Sequence, residues 1–166
     1  GYALSPSIYK MLKEEFNVYR IEITLDGSKE FHDKRRVTTS GIGSFDIIFN
    51  NLKAITQSPF YDKNTCVISI RCNVDERNIE GVMPLLEMLY KHNMQDKIIF
   101  YTTPVVSWSN NGAGSMLGHK LLGKLSSKHI DYMINHNFKV TILPKRVAPY
   151  QCIGTDNDAE MYDADG

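Results

Sequence analysis

The sequence has few cysteines and almost no tryptophan, which limits the kinds of protein it can encode. One tryptophan and three cysteines occur in 166 residues. The cysteines stand far apart, so they form neither a CxxC pair nor a disulfide framework. Cys66 and Cys72 fall in a strand-like run, where a buried free thiol is the ordinary interpretation. We therefore predict a cytoplasmic protein.

An excess of one charge and a long apolar run are also missing. There are 19 basic and 19 acidic residues, and the pI is near 7.1. Nucleic-acid-binding domains usually carry a basic excess, so no such partner is predicted. No apolar segment approaches the roughly 18 residues that a membrane span needs. The opening Gly1-Tyr2-Ala3 lacks the charged start of a signal peptide, and we predict no membrane partner.

What the sequence does have is a regular alternation of strand and helix patterns. Its 42% of hydrophobic residues suffices for one domain with a real core. The predicted strands cover residues 18–26, 65–73, 97–103 and 138–143. Helices are predicted to begin at Ser5-Pro6, Ser44 and Asn78, and another precedes residue 137. This order indicates right-handed βαβ units and a parallel sheet, and it leaves both a doubly wound sheet and a barrel open.

Polar and apolar residues alternate along the first two predicted strands. The polar faces consist of Arg20, Glu22, Thr24 and Asp26 in the first strand and Ser69, Arg71 and Asn73 in the second. Central parallel strands are normally apolar on both faces. Exposure at a sheet edge would explain one such strand. Two in succession favour a ligand cavity at the carboxyl ends of the strands.

Three ordered motifs give the sequence a resemblance to a known family. They are Ile23-Thr24-Leu25-Asp26-Gly27, His32-Asp33-Lys34-Arg35-Arg36 and Gly43-Ser44-Phe45-Asp46. Their order and spacing resemble the mid-barrel signature of radical SAM enzymes, and more narrowly of the SPASM-containing branch that matures peptides and sulfatases. The resemblance spans roughly residues 18–105. It implies an α/β fold in which parallel (βα) repeats form part of a partial TIM-type barrel.

The end of the chain adds a second likeness, because Cys152 followed by Asp165-Gly166 resembles the opening of a SPASM region. The resemblance implies that residues 1–145 are the later part of the barrel and that residues 146–166 begin the SPASM extension. Cys152 would then be an auxiliary-cluster ligand in the parent enzyme. The family's CxxxCxxC loop and glycine-rich GGE segment are not in this sequence. We therefore expect a fragment that is inactive alone.

The resemblance also implies an activity for the parent enzyme. It would cleave S-adenosylmethionine at a [4Fe–4S] cluster to give a radical that modifies a peptide or protein. An opened barrel exposes strand edges, so self-association of the segment is expected. Two alternatives stay open. One is a non-catalytic α/β module that binds a peptide or nucleotide, and the other is an unrelated barrel enzyme with Glu22 and Asp26 as acid and base.

By this resemblance, four residues bind the cofactor: Thr24, Asp26, Arg36 and Asn73. Thr24 would contact the ribose, and Arg36 would bind a carboxylate of the cofactor or peptide. Asp26 would bond loop amides or substrate, and Asn73 would bond cofactor or substrate. Three of them have structural alternatives, which are β-propensity for Thr24, turn chemistry for Asp26 and a solvated basic run for Arg36.

Other polar residues are given mainly structural interpretations. Arg71 is expected to pair with Glu22 in a buried bridge, and His32-Asp33 to fix a loop. Residues 101–103 would contact the adenine, although their β-propensity alone accounts for them. The loop at residues 110–114 lacks phosphate-binding spacing and is interpreted as a lid or an irregular loop beside a peptide-contacting Trp108. The helix histidines are expected to face solvent.

Overall fold

The computed structural model describes residues 1–105 and 118–140, and within them helices alternate with parallel strands. The helices are α1 (Pro6–Glu14), α2 (Lys29–His32), α3 (Phe45–Thr56), α4 (Val82–Lys91, after the 3-10 turn Ile79–Gly81) and α5 (His119–Asn135). The strands are β1 (Arg20–Thr24), β2 (Val67–Val74) and β3 (Ile98–Pro104). The predicted order of elements is confirmed as far as β3 and α5.

The three strands form one parallel sheet in the order β1-β2-β3. Helix α3 lies between β1 and β2 in the chain, and α4 lies between β2 and β3. In the register, Thr24 stands opposite Arg71, and Arg71 stands opposite Tyr101. The predicted fold class of parallel (βα) repeats is therefore confirmed. All three carboxyl ends meet along one edge of the sheet.

One face of the sheet carries the hydrophobic core. The buried strand residues include Ile23, Ile68, Ile70, Cys72 and Phe100, and the buried helix residues include Phe45, Leu52, Ile55, Leu85 and Leu89. The apolar spacing of three and four residues in α3 gives that helix its buried face. Each fully buried leucine or isoleucine contributes about 1.5–3 kcal/mol through its removal from water.

Both cysteines of the described residues are buried free thiols, as predicted. Cys66 and Cys72 have no exposed surface. Burial raises the pKa of the Cys72 thiol to about 12. Since the thiolate is the form that attacks or binds metal, Cys72 is a packing residue of β2.

The starts of two helices differ in how far they agree with the sequence. Ser5 caps α1 as predicted, since its Oγ accepts a hydrogen bond from the Ile8 amide at 3.2 Å. The prediction that Ser44 caps α3 is wrong. The Phe45 amide instead donates to Asp33 Oδ1 at 2.9 Å, and Ser44 Oγ donates to a carbonyl. At the start of α3, the acceptor of this amide is therefore the Asp33 carboxylate, twelve residues earlier in the chain, and not the Ser44 hydroxyl.

The helix α5 corrects the expectation that the helix histidines face solvent. His129 is only 6% exposed, since it lies on the same side of α5 as Met133, a member of the core.

Of the predicted fourth strand, the described part contributes one parallel bridge, between Ile99 and Lys139. The loop with Trp108, the proposed domain boundary at 145–146 and Cys152 lie outside the described residues. No described helix has the length and apolar character to cross a membrane.

Strand β1 forms an outer edge of the described sheet, and large side chains are exposed beside it. Tyr19 is 78% exposed and Phe16 is 63% exposed. An unpaired strand edge with apolar neighbours favours association with another chain or segment. Self-association stays a prediction, and sedimentation of the purified chain measures it directly.

Candidate functional site

The second face of the sheet is lined by polar side chains in matching rows. Following the register, the rows are Glu22–Ser69–Ile99, then Thr24–Arg71–Tyr101, then Asp26–Asn73–Thr103 nearest the carboxyl edge. Glu22 is exposed, and Thr24, Arg71 and Tyr101 are half-buried. The prediction of two successive polar strand faces is confirmed, and β3 extends this surface.

Asp26 is the buried centre of the carboxyl edge, with only 1% of its surface exposed. Its Oδ1 accepts hydrogen bonds from the backbone and side-chain nitrogens of Asn73, at 2.9 and 3.1 Å. Its Oδ2 accepts from Arg36 Nε at 2.6 Å. A buried carboxylate needs such compensation, since a lone buried charge is strongly unfavourable. In the folded chain, the Asp26 carboxylate therefore fixes the positions of the Arg36 and Asn73 side chains.

His32 ties Asp26 to the following loop. The Asp26 amide donates to His32 Nδ1 at 3.0 Å, so the ring proton belongs on Nε2. Nε2 lies 3.0 Å from Ser44 Oγ, which itself donates to the Arg36 carbonyl at 2.8 Å. Burial lowers the pKa of His32, which keeps the imidazole neutral. The predicted loop-fixing role of His32 is confirmed.

Asp33, the other half of the predicted pair, also fixes the loop. Its carboxylate accepts from the Phe45 amide and packs against the backbone of Gly43. A Cβ at Gly43 would lie 2.2 Å from Asp33 Cγ, so any larger residue would displace the carboxylate. Glycine at this position allows the loop and the start of α3 to close together.

Asn78 is a site-positioning residue that sequence reasoning placed only as a helix cap. Its Nδ2 donates to the carbonyls of Asn73 at 2.7 Å and Asp26 at 3.2 Å. Its Oδ1 accepts from the Asp75 amide at 2.8 Å. The sequence signal for it is its place three residues after Asp75, since residues 71–75 followed by Asn78 resemble a strand and exit turn of the same family. We call Asp26, His32, Arg36, Ser44, Asn73 and Asn78 the rim network.

Asp75 anchors two arginines beside the rim network. It is fully buried, with Arg77 Nη2 at 2.6 Å and Arg35 Nη1 at 3.4 Å. Burial alone would raise the pKa of Asp75. The hydrogen bonds from Arg77 and the nearby charge of Arg35 outweigh burial and lower it. Arg35 is thereby held in an ion pair with Asp75, although its Nη1 has no hydrogen-bond partner among the described residues. Arg36 is the arginine of this motif that lines a cavity.

A cavity of about 550 Å³ opens beside the rim network. Its polar lining includes Glu22, Thr24, Arg36 and Ser44, together with Tyr2, Thr38 and Thr39. Its volume falls in the usual range for small-molecule sites. The structure therefore brings together Thr24 and Arg36, two of the four predicted cofactor-binding residues. Asp26 stands behind Arg36, and Asn73 lies in the adjoining row without lining this cavity.

The middle of the polar face carries Glu22, Arg71 and Tyr101, which we call the inner-face triad. The predicted pairing of Arg71 with Glu22 is present, with Nη1 3.7 Å from Oε1. The expectation of a buried bridge is wrong, because the two side chains are 41% and 40% exposed. The Tyr101 hydroxyl donates to Glu22 Oε2. Partial burial, then this bond to Glu22, raises the pKa of Tyr101.

The described residues do not fit an iron–sulfur cluster. Within 1–105 and 118–140, no group of three or more His, Cys, Asp or Glu side chains is arranged to hold a metal ion. Cluster ligation requires several thiolates that converge on one point. Cys66 and Cys72 are instead buried in or beside β2. A cluster would have to be held by residues outside the described part of the chain.

Comparisons with known proteins agree with the fold expected from the resemblance. No family model and no curated protein matches the chain. Its structure is similar to native anSMEcpe with bound AdoMet and Kp18Cys peptide, with a TM-score of 0.62 and 17% identity. It is equally similar to native anSMEcpe with bound AdoMet, with a TM-score of 0.62 and 16% identity.

Each match covers 83% of this chain and 37% of the anSMEcpe chain. The chain therefore corresponds to little more than a third of the length of those proteins. Identity this low is informative about the fold alone. The likeness confirms the predicted fold of parallel (βα) repeats.

Proposed function

We propose that the chain is the later part of a radical SAM enzyme's partial barrel, and that this enzyme modifies a peptide or protein by radical chemistry. The supporting observation is that Thr24 and Arg36 line one cavity at the carboxyl edge of the sheet. The same fold occurs in anSMEcpe with bound AdoMet. We propose S-adenosylmethionine as the occupant of that cavity.

Arg36 would bind the carboxylate of the cofactor's methionine portion. Asp26 engages its Nε, which orients the guanidinium and leaves its two terminal nitrogens to donate to a carboxylate. A guanidinium that is already fixed loses less side-chain entropy when the ligand binds. The Thr24 hydroxyl, half-buried one row away, would hydrogen-bond the ribose.

Thr24 and Arg36 would hold S-adenosylmethionine, which would supply radical chemistry for hydrogen-atom abstraction once a [4Fe–4S] cluster held elsewhere provided the electron. The residues of this chain orient the cofactor and the substrate for that chemistry. The cluster ligands belong to a CxxxCxxC motif elsewhere in the whole protein under this proposal. Residues 146–166 would begin its SPASM extension, with Cys152 as an auxiliary-cluster ligand.

The experiment uses the whole protein encoded by the reading frame that contains this chain. It is reconstituted anaerobically with iron and sulfide, reduced, and assayed for 5′-deoxyadenosine formed from S-adenosylmethionine. Replacing Arg36 by Gln is expected to raise the KM for S-adenosylmethionine at least about tenfold, since a charged hydrogen-bond partner is lost. A reading frame without CxxxCxxC, or no 5′-deoxyadenosine from the reconstituted protein, would overturn the proposal.

The matched control is Arg77→Gln, which removes an arginine beside the rim network and outside the cavity. It should leave the KM near the wild-type value. An equal rise of the KM in Arg36→Gln and Arg77→Gln would mean that Arg36 acts through its general charge and not through direct contact with S-adenosylmethionine. Tight binding of S-adenosylmethionine without any cleavage would favour the non-catalytic binding module instead.

A further inference from the structure

Arg71 is the charged group of the polar face whose donors are least used. Its Nε is buried and has no hydrogen-bond partner among the described residues. Its nearest opposite charge is Glu22 at 3.7 Å, which is too long for a hydrogen bond. A guanidinium carries five N–H donors in a fixed fork. An acceptor is therefore missing from this part of the sheet.

Glu22 does not supply that acceptor, because its carboxylate is already shared. Oε2 accepts from the Tyr101 hydroxyl, and Oε1 is the atom that stands 3.7 Å from Arg71. Both members of the ion pair are about 40% exposed. Exposed pairs of this kind contribute little to stability. A carboxylate from outside can displace Glu22 from Arg71 at small cost.

The position of Arg71 relative to the cavity indicates what such a carboxylate belongs to. Arg71 stands directly opposite Thr24 in the register, and neighbouring strands lie about 4.8 Å apart. Thr24 lines the cavity and Arg71 does not. Hydrogen transfer requires the reacting atoms to be within about 3–3.5 Å. A substrate beside a molecule in the cavity would lie over β2, where Arg71 projects.

We propose that Arg71 is a specificity-determining residue that binds a carboxylate of the peptide substrate. This rests on the proposed function, since the substrate's place is defined by the occupant of the cavity. The carboxylate belongs to an acidic side chain or to the peptide's C-terminus. A guanidinium recognises either one through two parallel N–H···O bonds. Arg20, on the same face, already donates from Nε to Ser69 at 3.1 Å and is not available in that way.

Nuclear magnetic resonance of the Arg71 Nε–H group tests the proposal without cofactor, cluster or turnover. The full chain is titrated with N-acetyl-aspartate amide, N-acetylglycine and N-acetyl-asparagine amide. The first presents a side-chain carboxylate, the second a terminal carboxylate, and the third the same shape without charge. We expect a saturable shift of the Arg71 signal with one or both carboxylates at millimolar concentration and none with the asparagine compound.

Three variants separate recognition of the carboxylate from a general effect of charge. Arg71→Gln should weaken binding of the responsive carboxylate at least about tenfold. Arg20→Gln removes the same charge from the same face and should change it less than about threefold. Glu22→Gln, which removes the competing carboxylate and keeps its shape, should tighten binding by about threefold.

The outcomes are distinct from those of the proposed function. Absence of a saturable shift in the wild-type chain overturns the carboxylate site, even if the whole protein cleaves S-adenosylmethionine. Equal response to the asparagine compound, or equal losses in Arg71→Gln and Arg20→Gln, also overturns it. A specific Arg71 response without cleavage by the whole protein would leave the site standing and remove the proposed chemistry.

Discussion

The rim network and the inner-face triad carry similar residue types but differ in how completely these are partnered. Asp26 is 1% exposed and accepts three hydrogen bonds within the network. Glu22 is 40% exposed and forms one hydrogen bond and one long ion pair. In the rim network, folding satisfies the Asp26 carboxylate that it buries. The motif residues of the rim thus organise the site, whereas spare binding capacity lies on the open face.

Removal of the buried carboxylate gives the largest effect expected from this comparison. Asp26→Ala leaves the half-exposed Arg36 guanidinium without its ion-pair partner and the half-buried Asn73 without the acceptor of its backbone and side-chain nitrogens. We expect the free energy of unfolding to fall by about 3 kcal/mol, because the charge left unpaired on Arg36 is partly solvated. Urea denaturation measures it.

Glu22→Gln is the matched control, because it removes a carboxylate from the same strand at an exposed position. It should cost less than about 1 kcal/mol. If Asp26→Ala and Glu22→Gln lower the free energy of unfolding equally, the rim network is not more completely partnered than the inner-face triad. Asp26→Asn serves as a second variant should the alanine variant not fold, and it is expected to be destabilised in the same direction.

Asn78→Ala tests the rim network at its backbone contacts. Three hydrogen bonds from one buried amide are lost, and the Asp75 amide is left without an acceptor. The expected loss is about 2–3 kcal/mol in unfolding free energy. Asn73→Ala, which removes a half-buried amide with one side-chain bond to Asp26, should cost about 1 kcal/mol. A reversed order would mean that Asn73 rather than Asn78 holds the rim.

Much of this arrangement could be predicted from local sequence pattern. Alternation at period two along β1 and β2 identified the polar face, and the spacing of three and four in α3 identified its buried side. The family resemblance of the ordered motifs, rather than any local pattern, implied that Thr24 and Arg36 belong to one site, and both line the same cavity. The two periodic signals are local.

The remaining features depend on residues that meet only in the fold. Asp33 rather than Ser44 accepts from the Phe45 amide, because the loop after α2 folds back onto the start of α3. Burial of His129 depends on how α5 packs. The exposure of the Arg71–Glu22 pair depends on what covers the sheet's second face. Sequence periodicity predicts which side chains share one face of a strand or helix. It does not predict which residues pack over that face, and therefore does not predict how exposed the face is.

The pH dependence of stability offers a smaller test of the rim network. Burial lowers the pKa of His32 from its ordinary value of 6.5, so the unfolded chain takes up this proton at a higher pH than the folded chain. Stability from this group is full above pH 6.5 and declines as the pH falls from there towards the lowered folded pKa. We expect the unfolding free energy to fall by less than about 1.4 kcal/mol between pH 7.5 and 5.5, which is the limit for one proton taken up only by the unfolded chain.

His32→Asn keeps an acceptor for the Asp26 amide and removes the titration. Its unfolding free energy should therefore vary less with pH over that interval than that of the wild type, although it is lower at neutral pH. His136→Asn is the control, because His136 lies outside the rim network and bonds the Tyr132 carbonyl. An unchanged pH slope in His32→Asn would show that His32 is not held neutral by burial.

Tyr101→Phe probes the inner-face triad and carries the smallest expected effect. It removes one hydrogen bond to a half-exposed carboxylate, so the free energy of unfolding should fall by about 0.5 kcal/mol or less. The double variant with Glu22→Gln should be nearly additive, because a weak interaction leaves little coupling energy. A coupling energy above about 1 kcal/mol between Tyr101 and Glu22 would mean that their hydrogen bond contributes strongly to folding. A ligand carboxylate would then displace Glu22 from Arg71 less easily. The inner-face triad would also be as well partnered as the rim network, contrary to the comparison drawn above.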